Sequence, residues 1–122
     1  MSVSIREVMS TDLVKVVATT TIAEAATVMS TRGVGSALVM EGDRLVGIFT
    51  ERDTLRAVAG EFDGEQHQVL EFMTSNPTTI DAEAPANEAL ESMLAFGFGH
   101  LPVMEDGRVV GIVSMRDVMR RV

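Results

Sequence analysis

The sequence predicts an α/β (α+β) fold in which two tandem copies of a β-α-β-β-α unit pack with pseudo-twofold symmetry. Three observations predict it. The chain matches itself at an offset of 64 residues, each copy alternates β-branched runs with helical stripes in the same order, and neither copy alone has the length to bury a core of its own. At that offset Ile5–Val58 falls on Val69–Val122 without a gap, with 19 identities in 54 positions, among them Met9/Met73, Met29/Met93, Gly47/Gly111 and Asp53/Asp117. An internal repeat has to be read before any local feature. The repeats are taken as residues 1–58 and 69–122. The stretch between them, Ala59–Gln68, carries three acidic groups and no strong periodicity, and reads as a linker in which His67 is a solvated loop residue.

Each element has its own signal. The run Leu13–Val17 is rich in β-branched residues and predicts a short strand. Thr21 and Glu24 then have capping-box spacing, and Ile22, Ala25, Ala26 and Met29 follow the helical period. In the second copy Pro85 stands in place of the cap, suited to the first helical position, ahead of the stripe Ala86, Ala89, Leu90 and Met93. Gly33 and Gly35, like Gly97 and Gly99, end the helix and release the chain into a strand. "ALVM" and "LPVM" are joined through "EGDR" and "EDGR" to "LVGIFT" and "VVGIVS", which predicts a hairpin in each copy. Two such units pack their apolar faces together, and two related clefts are expected between them.

Composition narrows the function. Ten Lys and Arg against 18 Asp and Glu give a net charge of −8, which argues against nucleic acid and anionic membrane partners. Tyr and Trp are absent, leaving five Phe for any base stacking. No apolar run approaches a membrane span and no signal peptide is visible, so a soluble cytoplasmic protein is expected. With no Cys and two His, thiolate metal sites and cysteine nucleophiles are excluded, and neither a metal site nor a catalytic motif can be assembled. The nine Met read as flexible core filler.

The heptapeptides Gly47–Asp53 and Gly111–Asp117 repeat one pattern: Gly, Ile, an apolar residue, a hydroxyl, any residue, Arg, Asp. A hydroxyl followed three residues later by an acid marks a helix start. A ligand site is compatible with that cap. The acid is Asp in both copies where Glu is the usual partner, and an Arg precedes it at a helix start, where a cation is unfavourable. The junction also follows a strand's carboxyl end, where α/β sheets gather ligands. A hydroxyl, an Arg and backbone N–H groups at a helix N-terminus suit phosphate, and an Asp suits a ribose diol. Arg120 and Arg121 beside Arg116 complement the helix C-terminus or contribute on the phosphate side.

The order "GVGSALVM…LVGIFTERD", then "GFGHLPVM…VVGIVSMRD", with "REVMS" and "LEFMT" leading the two copies, resembles the tandem cystathionine-β-synthase (CBS) domain pair, or Bateman module. The resemblance implies a crevice for adenosine-containing ligands such as AMP, ADP, ATP, NAD or S-adenosylmethionine, with no required cofactor. It places Thr50, Arg52 and Asp53 at one site and Ser114, Arg116 and Asp117 at the other, on phosphate and ribose. Gly35, Ser36 and Ala37, and Gly99, His100 and Leu101, would line the adenine pockets. His100 is either pocket lining or a plain strand start. Glu51, where the second copy has Met115, weakens polyphosphate binding if it points inward and not if it faces solvent.

The two halves are expected face to face, so that each heptapeptide serves the other repeat's pocket: Ser36 and Ala37 with Ser114 and Asp117, His100 and Leu101 with Thr50 and Asp53. The leading expectation is a non-enzymatic sensor that reports nucleotide occupancy to a separate effector protein. A ligand-independent assembly module is the alternative, and an enzyme acting on bound nucleotide is the weakest reading. Apolar residues within Leu94–Phe98 and Val118–Val122, together with the resemblance, predict a homodimer.

Overall fold

The leading segment of each repeat is built into the body of the other. The computed structural model describes residues 3–121. Its elements in chain order are α1 (Ile5–Val8), β1 (Lys15–Val16), α2 (Ile22–Arg32), β2 (Ser36–Glu41), β3 (Arg44–Thr50), α3 (Glu51–Ala59), a 3-10 turn (Val69–Glu71), β4 (Thr74–Ser75), β5 (Ile80–Asp81), α4 (Ala86–Phe96), β6 (His100–Glu105), β7 (Arg108–Ser114) and α5 (Met115–Arg121). They form two compact units: Val14–Pro77, and the segment through Leu13 together with Thr78 onward. We call them the first-repeat and second-repeat units. Both small sheets and their helices match the fold class read from the sequence.

In the first-repeat unit the sheet order is β1-β2-β3-β4, with β1 parallel to β2 and the other neighbours antiparallel. In the second-repeat unit it is β5-β6-β7, with β5 parallel to β6. The leading segments supply the remaining edge in the same way. Thr74 pairs with Ile48 and, one repeat earlier, Ser10 bridges to Ile112. Glycine permits the close approach. A Cβ on Gly47 would stand 2.7 Å from the sulfur of Met73 and 3.0 Å from the carbonyl oxygen of Thr74. One on Gly111 would stand 2.6 Å from the sulfur of Met9 and 3.0 Å from the carbonyl oxygen of Ser10.

The helical stripes fill the cores as predicted. Ile22, Ala25 and Met29 of α2 pack with Ala37, Val39 and Phe49 of the sheet, and Val69 from the leading segment joins them. Ala86, Ala89 and Met93 of α4 pack with Leu101, Val103 and Val113, and Ile5 and Val8 from α1 join these. Helices α2 and α4 both stop at a left-handed glycine, Gly33 (φ 66°) and Gly97 (φ 76°), as the C-cap reading requires. The two hairpins turn differently: Gly42 alone has positive φ in the first, whereas Asp106 and Gly107 both do in the second.

Three local expectations shift. Only Lys15–Val16 of the run Leu13–Val17 pairs as strand, because its neighbour β2 meets it over two positions. Pro85 is the N-cap residue, one position before the helix, with extended ψ of 141°. It has no capping side chain, and the N–H of Ala86 is satisfied by the carbonyl of Val3 at 2.6 Å. The stretch Ala59–Gln68 is docked: its carbonyls at His67 and Gly64 accept from Ile22 and Ala23 at 2.9 Å each, capping the start of α2. His67 is correspondingly half-buried, bonded to Glu71 at 2.8 Å and set edge-on against Phe62. That hydrogen bond, followed by the one from the Gln68 N–H, holds the Glu71 carboxyl below its ordinary pKa.

The close approach gives a stability test. Gly47→Ala and Gly111→Ala are each expected to destabilise by about 1–3 kcal/mol, the usual cost of overpacking. Gly99→Ala, with nothing within 4 Å of the added carbon, is expected to stay within about 0.5 kcal/mol of the wild type. Urea unfolding of the three variants measures the difference.

Candidate functional site

The repeated hydroxyl and acid sit where a strand becomes a helix. Thr50 ends β3 in extended conformation and caps α3: its hydroxyl accepts from the Asp53 N–H at 3.4 Å, and its own N–H donates to Asp53 Oδ2 at 2.9 Å. Ser114 and Asp117 repeat the pair between β7 and α5, at 3.1 Å and 3.0 Å. The reciprocal bonds satisfy N–H groups that a helix start otherwise leaves without partners. Aspartate reaches the cap in both repeats, so its shorter side chain is no obstacle to the capping role.

The two acids differ in surroundings. Asp53 is 6% exposed, and its Oδ1 accepts from Arg56 at 3.1 Å. Asp117 is half-buried, and among the described residues no ion pair joins it to Arg120, the residue at the position of Arg56. Arg52, Arg116 and Glu51 have exposed side chains, and Met115 is half-buried.

The predicted adenine-side residues arrive through sheet register. Ser36 lies opposite Thr50, and His100 opposite Ser114. The N–H of Glu51 donates to the Gly35 carbonyl at 3.0 Å, and that of Met115 to the Gly99 carbonyl at 2.9 Å. Each repeat therefore brings together its own Gly-hydroxyl-acid set: Gly35, Ser36, Thr50 and Asp53 in one, Gly99, His100, Ser114 and Asp117 in the other. Ala37 and Leu101 are fully buried members of the core clusters, so they share the strand start through their backbone. Alternation along the strands puts Leu38 and Ile48 on the same face as Ser36 and Thr50, and Pro102 and Ile112 on the same face as His100 and Ser114. Sequence reasoning passed over these four apolar residues, although their period of two carried the signal.

Among the described residues no group of three or more His, Asp or Glu is placed to hold a metal. No described helix is long and apolar enough to cross a membrane. An open pocket of about 450 Å³ lies beside β1 and α2, lined by Lys15, Val16, Glu24, Val28 and Met40, and shares no residue with the heptapeptide.

The comparison with known proteins follows the duplication. The CBS domain family matches the chain twice, at residues 5–60 and 69–122. The chain belongs to the CBS domain family. It is 35% identical over 123 residues to an uncharacterised 17.7 kDa protein of Acidianus ambivalens, covering 98% of this chain and 73% of that one. It is 39% identical over 93 residues to arabinose 5-phosphate isomerase KdsD of Francisella tularensis, covering 75% of this chain but 28% of the isomerase. Among solved structures, the CBS domain protein PAE2072 of Pyrobaculum aerophilum complexed with AMP matches with a TM-score of 0.87 and 31% identity, over 94% of this chain and 89% of that one. The CBS domain pair of protein MJ0100, in complex with 5'-methylthioadenosine and S-adenosyl-L-methionine, matches with a TM-score of 0.88 and 26% identity, over 98% and 95%.

The cap itself is testable without ligand. Thr50→Ala and Ser114→Ala are each expected to lose about 1 kcal/mol, as N-cap hydroxyls do. Denaturant unfolding of the ligand-free protein checks this; unchanged midpoints would remove the cap from the account.

Proposed function

We propose that this CBS pair is a non-catalytic regulatory module that binds an adenosine-containing ligand and reports its occupancy to an effector. The observation that carries the reading is the doubled junction: the same hydroxyl, acid and preceding Arg at a strand's carboxyl end and a helix start, in both repeats. Arg52 and Arg116 suit phosphate, while Asp53 and Asp117 suit ribose hydroxyls; the helix-start N–H groups of Glu51, Asp53, Met115 and Asp117 already donate within the protein. The AMP complex of PAE2072 and the S-adenosyl-L-methionine complex of MJ0100 support an adenosyl ligand class. Gly35, Ser36, Gly99 and His100 are assigned to the adenine side, with the backbone of Ala37 and Leu101. ADP, ATP and NAD belong to the same candidate class. The proposed setting is the cytoplasm.

A thermal-shift panel of AMP, ADP, ATP, NAD and S-adenosylmethionine tests this. A ligand at 100 times its dissociation constant is expected to add about 2.7 kcal/mol of stability. No shift from any of the five would overturn the reading. Arg52→Ala and Arg116→Ala are expected to weaken AMP more than adenosine, because the charge-assisted bond exists only with phosphate. A structure of liganded Asp53→Ala should show the ligand lost beside residue 53 and kept beside Asp117; ligand kept at both would remove Asp53 from the binding account.

Exposed apolar residues support homodimer assembly alongside binding, or in place of it. Leu94 is 68% and Phe96 70% exposed near the end of α4, Leu55 is 68% exposed on α3, and Met119 63% on α5. Large exposed apolar patches mark interaction surfaces, and isologous pairing covers them most simply. Val122, at the end of the predicted apolar stretch, lies outside the described residues. Light scattering at micromolar concentration is expected to return about twice 13.1 kDa; a value near 13.1 kDa itself would exclude the homodimer.

A further inference from the structure

We propose that Arg56 sets the two repeats apart by occupying the Asp53 carboxylate, so that the Asp53 site holds a nucleoside more weakly than its own residues would otherwise allow. The inference rests on the adenosyl-ligand reading above and deepens it by naming a specificity-determining position.

Three features converge on Arg56. Its guanidinium donates to Asp53 Oδ1 at 3.1 Å, while Asp53 Oδ2 already accepts from the Thr50 N–H and hydroxyl. Both carboxylate oxygens are therefore engaged before any ligand arrives. The guanidinium carbon also lies 5.8 Å from the centre of the Phe72 ring, within cation–π reach. Phe72 is in turn braced edge-on by Phe62, with ring centres 5.0 Å apart. A cation held by both a carboxylate and a ring face has fewer alternative positions than one held by either.

The second repeat has the same acid and the same Arg but lacks the brace. The residue at the position of Phe72 is Val8, which is buried in the second-repeat core and offers no ring. The difference lies in the sequence, in the leading segments, and goes beyond the rotamer of one exposed side chain. A ribose diol binds a carboxylate by donating two hydroxyl hydrogens, and Arg56 competes for the same acceptor oxygens. Because Arg56 itself is 61% exposed, its hold on Asp53 is that of a partly solvated ion pair. Its removal is therefore expected to change affinity about two- to fivefold, the range of such pairs.

The test uses calorimetry with adenosine and AMP on the full chain. In Asp117→Ala protein, which retains the Asp53 site, adding Arg56→Gln is expected to tighten adenosine about two- to fivefold. Adding Phe72→Val, which copies the second repeat's residue, is expected to tighten it by a smaller factor. The two changes together should do no more than Arg56→Gln alone, since Phe72 acts through Arg56. A merely structural role would weaken binding, so tightening is the diagnostic direction, with circular dichroism confirming that each variant is folded. Should Phe72→Val unfold the protein, the exposed Arg56→Gln alone decides. Unchanged or weaker adenosine binding in folded Arg56→Gln overturns this inference while leaving the adenosyl reading intact. Binding to wild type that vanishes in Asp117→Ala also overturns it, because Asp53 would then hold no ligand. No binding of adenosine or AMP to wild type overturns the inference, and the five-ligand panel then decides the adenosyl reading.

Discussion

The contact on which the rest depends is a methionine laid against a glycine: Met73 on Gly47, and Met9 on Gly111. Each Met comes from the segment that leads a repeat, and each Gly from the last strand of the other repeat. The segment can lie this close only where no side chain stands in its way. Once it does, its backbone pairs with the strand, Thr74 with Ile48 and Ser10 with Ile112, and its apolar residues complete the core. Val69 and Ile5 are fully buried in the units they join. A repeat of this size buries a smaller fraction of its surface than a larger domain and is marginal alone, and the borrowed segment adds to its core.

The heptapeptide thus serves two demands that fall next to each other in sequence. Its glycine admits the borrowed segment; its hydroxyl and acid cap the helix that follows. Neither demand requires a ligand, and neither precludes one. What a ligand adds is a use for the acid: a carboxylate at a strand's carboxyl end suits a hydroxylated molecule. The Arg between hydroxyl and acid takes no part in the cap, and a cation at a helix N-terminus opposes the macrodipole.

Much of this was legible in the sequence, because duplication supplies its own control. A stripe seen once is weak, but Ile22, Ala25 and Met29 recurring as Ala86, Ala89 and Met93 fixed two helices, and the Gly-rich hairpins recurred likewise. The acids were found for the same reason. The borrowed segments were not foreseen. Their strands are one or two residues long, too short for any alternation, and their partners lie far along the chain. The docking of Ala59–Gln68 escaped notice for a related reason: it works through backbone carbonyls onto Ile22 and Ala23, which no side-chain pattern reports. The apolar face at Leu38 and Ile48 is legible in the period of two along the hairpin strands, and sequence reasoning passes over it.

Exchange of leading segments has a consequence for how identical motifs diverge. The environment of Asp53 is set partly by a residue of the borrowed segment as well as by the motif around it. Phe72 belongs to the segment that leads the second repeat, yet it stands over Arg56 of the first. Val8, its counterpart, leads the first repeat and fills the core of the second. A substitution in one leading segment therefore alters the other repeat's acid while leaving its own heptapeptide untouched. Two sites can keep the same hydroxyl, Arg and Asp and still differ in how much of the carboxylate is available. The shared hydroxyl, Arg and Asp alone would rate them equal; the exchange of leading segments adds a difference that those residues do not carry.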